Sequence, residues 1–81
     1  MTAPKRLGRP RPVNVVTGSD GLPAVLGGMR VDGVLEDWLV EDRWWTDRPL
    51  QRRYLELVLE NGRCALVFRD LVSGRWFSQR S

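Results

Sequence analysis

The chain has 81 residues, 42% of them apolar, and a formal net charge of +3. That length sets a limit of one small domain with a thin core and leaves little room for a deep catalytic cleft. One cysteine and no histidine exclude an intrachain disulfide and leave no ligand set for a zinc site.

Charge is unevenly spread. Residues 1–12 carry Lys5, Arg6, Arg9 and Arg11 and no acid, or +4, whereas the other 69 residues carry nine Arg against ten acids, or −1. This stretch also holds Pro4, Pro10 and Pro12. It has too little apolar surface to offset ordering entropy, so residues 1–12 are predicted to be a flexible, disordered N-terminal tail and residues 13–81 the folded module. No apolar targeting core and no run of about 20 apolar residues is present, so the expectation is a cytoplasmic protein with no membrane contact.

Val13 to Val16 is a β-branched run, followed by the turn signal Thr17-Gly18-Ser19-Asp20-Gly21. Pro23 to Leu26 reads as a short strand with proline at its first position, ended by Gly27-Gly28. Met29 to Val40 mixes helical and extended spacing. Gly33 in its middle and the lack of a cap favour a long bent strand with a bulge at Gly33 over a helix. Glu41 to Pro49, which contains Trp44 and Trp45, reads as a loop.

Two apolar runs, Arg52 to Leu59 and Cys64 to Asp70, flank Asn61-Gly62. That dipeptide suits a two-residue type I′ hairpin. The implied register sets Leu59 opposite Cys64, Leu57 opposite Leu66 and Leu55 opposite Phe68 on one apolar face. Val58, Ala65, Val67, Tyr54 and Arg69 then fall on the other face. Leu71 to Gly74 forms the next turn, and Arg75 to Gln79 the last strand. The class expected is all-β: a small SH3-like sheet or barrel of five to six bent antiparallel strands.

No catalytic constellation emerges. Glu36-Asp37 and Glu41-Asp42 read as solvated charge rather than a metal site. Cys64, inside a strand and facing the core in that register, reads as a small buried hydrophobe rather than a nucleophile. The glycines lack phosphate-loop spacing. The expectation is a protein that is not an enzyme and needs no cofactor and no metal.

Binding signals are stronger. Tyr54 and Arg69 fall on one face of the hairpin, beside Arg52 and Arg53, and can stack as a cation–π pair. Trp44-Trp45 point to opposite sides of an extended segment, so one ring is free to anchor a partner. Candidate partner-binding residues are therefore Trp44, Trp45, Arg52, Arg53, Tyr54 and Arg69. Gly8-Arg9-Pro10-Arg11-Pro12 approaches a minor-groove AT-hook, with Leu7 where that motif wants arginine. Lys5, Arg6, Arg9 and Arg11 are accordingly the candidate nucleic-acid contacts, with salt-dependent attraction expected. A third reading is a homodimer formed through exposed strand edges.

The stretch from Val31 to Arg80 carries Trp38, Arg43-Trp44-Trp45, Arg52-Arg53-Tyr54, Leu59-Glu60-Asn61-Gly62-Arg63, Phe68-Arg69-Asp70-Leu71 and Gly74-Arg75-Trp76-Phe77. This order resembles a small C-terminal module of bacterial Y-family DNA polymerase homologues, the accessory translesion members of the mutasome, and of related stand-alone proteins. Pro12-Val13-Asn14-Val15 and Gly21-Leu22-Pro23-Ala24-Val25 are similar to its start. The polymerase core is absent, so nucleotidyl transfer does not carry over, and no sliding-clamp peptide is visible. The resemblance implies an accessory role in translesion synthesis and DNA repair, with a polymerase or recombinase-like protein of the DNA-damage response as partner. Direct DNA binding through the tail and hairpin is the alternative.

Overall fold

The computed structural model of the chain describes residues 9–42, 47 and 50–79. Seven strands follow one another: β1 (Arg11–Pro12), β2 (Val15–Thr17), β3 (Pro23–Leu26), β4 (Met29–Asp42), β5 (Leu50–Leu59), β6 (Cys64–Asp70) and β7 (Trp76–Ser78). The described residues contain no helix, and so none long and apolar enough to cross a membrane. The strands form one antiparallel sheet in the order β1-β7-β6-β5-β4-β3-β2, curled into a half-barrel. Six strands were expected at most. The seventh is β1, whose Arg11 and Pro12 pair with Ser78 and Phe77, so the sheet reaches two residues into the stretch assigned to the tail.

Closure follows from connectivity. β1 and β2 lie at opposite edges, yet only Val13 and Asn14 separate them in sequence. Three peptide steps from Pro12 to Val15 span at most about 11 Å, so the two edges converge there. The link is bonded to both sides. The Val13 amide donates to the Trp76 carbonyl (3.2 Å), and the Asn14 carbonyl accepts from the Gly27 amide (2.8 Å). Curling buries one face. Leu55, Leu57 and Val67 are fully buried there with Leu26, and Val13, Val15, Val34 and Trp76 pack against them.

β4 is the long bent strand expected. Its register against β5 shifts between Val31 and Gly33 and again between Val34 and Glu36, leaving Asp32 and Leu35 without partners on β5. Such bulges bend a strand and raise its twist, which lets β4 serve both halves of the barrel.

The hairpin register is corrected by one residue. Val58 faces Cys64, Leu57 faces Ala65, Leu55 faces Val67 and Tyr54 faces Phe68. The loop has three residues, not two. The Gly62 amide donates to the Leu59 carbonyl (2.9 Å), the Leu59 amide donates to the Arg63 carbonyl (2.8 Å), and the Arg63 amide donates to Asn61 Oδ1 (3.0 Å). Gly62 alone carries the left-handed turn, at φ +82°. This is a type I turn closed by a glycine bulge, the second commonest hairpin solution. The two-residue loop with paired positive φ occurs instead at Gly27 and Gly28 (φ 55° and 85°), where Leu26 faces Met29.

Candidate binding surface

One register step moves every β6 side chain to the other face. Phe68 leaves the leucine face and joins Tyr54, while Ala65, Val67 and Arg69 join the leucines. Cys64, expected in the core, is exposed.

The result is a row of rings across four neighbouring strands. Trp38 on β4 faces Tyr54 on β5, Tyr54 faces Phe68 on β6, and Phe68 faces Phe77 on β7. Trp38 and Tyr54 stack at 5.4 Å between centroids with 7° between planes. Tyr54 and Phe68 lie 5.1 Å apart at 40°, and Phe68 and Phe77 lie 5.2 Å apart at 19°. Pro12, opposite Phe77, extends the row to the sheet edge. Strand spacing makes the four-ring row roughly 15 Å long. Each such contact contributes about 0.5–1.5 kcal/mol beyond area burial.

Exposure along the row is graded. Phe68 is 2% and Tyr54 6% exposed, but Trp38 is 38% exposed. The row therefore presents one open ring, at the β4 end. Arg52 lies across its centre, with the guanidinium carbon 4.3 Å from the Phe68 centroid. Arg52 Nη1 donates to the Tyr54 hydroxyl (3.2 Å), and that hydroxyl donates to Gln79 Oε1 (2.9 Å). Next to the aromatic row on the same face, Glu36 stands opposite Glu56, which stands opposite Leu66. The open end of the row is thus acidic.

Of the partner-binding candidates, the structure joins Arg52 and Tyr54 on this face. Arg53 and Arg69 lie opposite each other on the other face, so the expected Tyr54–Arg69 stack does not form. Arg53 is engaged by Asp37: its Nε donates to Asp37 Oδ1 at 2.9 Å, and its Nη2 donates to Oδ2. The hydrogen bonds from Arg53 hold the Asp37 carboxyl below its ordinary pKa of 3.8, and the same contact raises that of Arg53. Arg69 sits 5.9 Å from the Trp76 ring. Trp44, Trp45, Lys5 and Arg6 lie outside the described residues. Arg9 and Arg11 are exposed, Arg11 on edge strand β1. Among the described residues, no group of three or more His, Cys, Asp or Glu is placed to hold a metal ion.

Sequence reasoning missed Trp38, Phe68, Phe77 and Gln79 as members of one surface. The available signal was the turn length. Counting Glu60, Asn61 and Gly62 as the loop sets Tyr54 against Phe68, and the four-residue turn Leu71 to Gly74 then sets Phe68 near Phe77.

Compared with protein-family models, curated proteins and solved structures, the chain matches none. None of these comparisons links the chain to Y-family polymerase modules.

Proposed function

We propose that this protein is a non-enzymatic interaction module that docks a protein partner on the Trp38 end of its aromatic row. The observation that carries this reading is Trp38 itself. It is a large ring, 38% exposed, held rigid by a nearly parallel stack on a buried tyrosine. A pre-ordered aromatic loses little side-chain entropy on binding and suits a hot-spot anchor. Rigid aromatics and arginine are the residues most enriched at such anchors.

The same face argues for protein over nucleic acid. Glu36 and Glu56 lie beside the aromatic row and repel phosphate, and Arg52 lies on Phe68; on the opposite face Arg53 is paired with Asp37. Exposed cations among the described residues are spread along the chain, at Arg9, Arg11, Arg30, Arg63, Arg69 and Arg75. The translesion setting, with a polymerase or recombinase-like partner, rests on the sequence resemblance and belongs to the same proposal.

The test is affinity capture from DNA-damaged cells, comparing wild type, Trp38→Ala and the double variant Trp44→Ala, Trp45→Ala, with folding checked by thermal melts. A folded Trp38→Ala protein should lose the principal partner. If it keeps every partner, the aromatic row is not the docking surface. If the double variant alone loses them, the interface lies in the 43–49 connection. An oligonucleotide titration at low salt completes the test. Tight binding abolished by Trp38→Ala would replace the protein reading with a nucleic-acid one.

A further inference from the structure

We infer that the outer edge of β4 between Glu36 and Glu41 accepts an extended, basic peptide as an eighth strand, so that the peptide's side chains continue the aromatic row past Trp38. The inference rests on the binding-module reading and names the partner's chemistry.

The edge is open by topology. β3 pairs with β4 only through Val25–Arg30 and Leu26–Met29. Beyond Arg30, no described residue pairs with the outer side of β4, while the inner side is paired with β5 as far as Asp42. The two register shifts lie before Glu36, and from Glu36 to Glu41 the ladder is regular. Six residues of unpaired, regular edge span about 20 Å, the length of an ordinary strand. Natural edges of this kind are templates for strand addition unless blocked.

Charge and exposure decide the occupant. Residues 31–41 hold Asp32, Glu36, Asp37 and Glu41 and no Lys or Arg. Only Asp37 is paired among the described residues, to Arg53. Exposed apolar side chains lie between these acids: Leu39 is 60% and Trp38 38% exposed, on opposite faces of the strand. A second copy of the same edge would bring three acids, Glu36, Asp37 and Glu41, against three acids, and like charges opposite one another destabilise a pair. A strand alternating lysine or arginine with aliphatic residues meets both features: with its cations on the face of Asp37 and Glu41 its apolar side chains cover Trp38, and in the other register its cations meet Glu36 while its apolar side chains cover Leu39.

The probe is acetyl-Lys-Val-Lys-Val-Lys-Val-Lys-amide, titrated at low salt into the full chain with calorimetry and amide hydrogen exchange. Binding with new amide protection confined to Glu36–Glu41 is the expected result. An analogue N-methylated at alternate amides keeps the charges but removes the strand donors, and should bind at least tenfold more weakly. So should a Glu-for-Lys counterpart on wild type, and the lysine peptide on the double variant Glu36→Lys, Glu41→Lys. The inference is overturned if the lysine peptide does not bind, if the N-methylated form binds equally, or if β4 self-associates instead. If these fail while Trp38→Ala still loses its partner, the edge reading falls and the aromatic-row reading stands. If the peptide binds as expected while Trp38→Ala keeps every partner, the edge reading stands alone.

Discussion

At the scale of single residues, Arg52 shows how a candidate contact is turned inward. Its guanidinium lies on Phe68 and bonds the Tyr54 hydroxyl, while its buried Nε has no hydrogen-bond partner. An orphaned donor costs about 1–3 kcal/mol, and a desolvated cation–π contact returns about 2 kcal/mol, so the charge contributes little net stability. The stem that covers the ring matters more. Arg52→Met should therefore change the unfolding free energy by less than about 1 kcal/mol, while Arg52→Ala, which uncovers Phe68, should cost about 1–2 kcal/mol in urea titrations. Arg53 is a different case. Its pair with Asp37 is more than a third exposed, where solvent screening holds an ion pair to below about 1 kcal/mol. Because the folded-state pKa of Asp37 lies below its ordinary 3.8, this stabilisation is present above pH 4 and lost as pH falls through the folded value. Asp37→Asn should lower stability slightly at pH 7, flatten its acid limb below pH 4, and lose most of its effect in high salt, as pH-dependent thermal melts would report.

At the scale of elements, the β5–β6 hairpin holds the difference between what the sequence disclosed and what it hid. Strand existence was legible, because β-branched and aromatic runs bounded by glycine have few other ways to fold. Asn61-Gly62 marked the turn but was compatible with loops of two or three residues, and a single residue of length decides which faces meet. The core leucines of β5 were therefore identified correctly. Their partners on β6 were not, and with them went the placement of Cys64, Phe68 and Arg69. Gly62 can be tested directly. Its φ is +82°, and a Cβ built there meets nothing within 4 Å, so substitution strains the backbone without a steric clash. Gly62→Ala should cost about 1–2 kcal/mol, and Gly62→Asn less, because asparagine tolerates the left-handed region better. The register carries a second consequence. Cys64 is exposed, so iodoacetamide should alkylate it in the native protein nearly as fast as in denaturant; the two-residue loop would have protected it.

At the scale of the whole molecule, stability depends on the short link between β1 and β2, at the start of the folded module. A domain of this size buries little more than half of its unfolded surface and has only a few kcal/mol in reserve. Among the described residues, fully buried side chains are few: Leu55, Leu57, Val67 and, at 2%, Phe68. Val13, in the link that joins the two sheet edges, and Val15, at the start of β2, complete the core cluster. The backbone of that link also bonds Trp76 on one side and Gly27 on the other. Removing it withdraws one packed valine, Val13, worth about 1–3 kcal/mol if fully buried and less here because it is half-buried. It also reopens the sheet at both edges. Before β1, the described residues Arg9 and Pro10 are exposed. Truncation should therefore be stepwise and sharply non-uniform. A chain starting at residue 9 should melt within a few degrees of full length and keep the partner proposed to dock at Trp38, whereas a chain starting at residue 15 should lose cooperative unfolding. A gradual fall in melting temperature across the two truncations would mean that the barrel does not depend on closure through Val13 and Asn14.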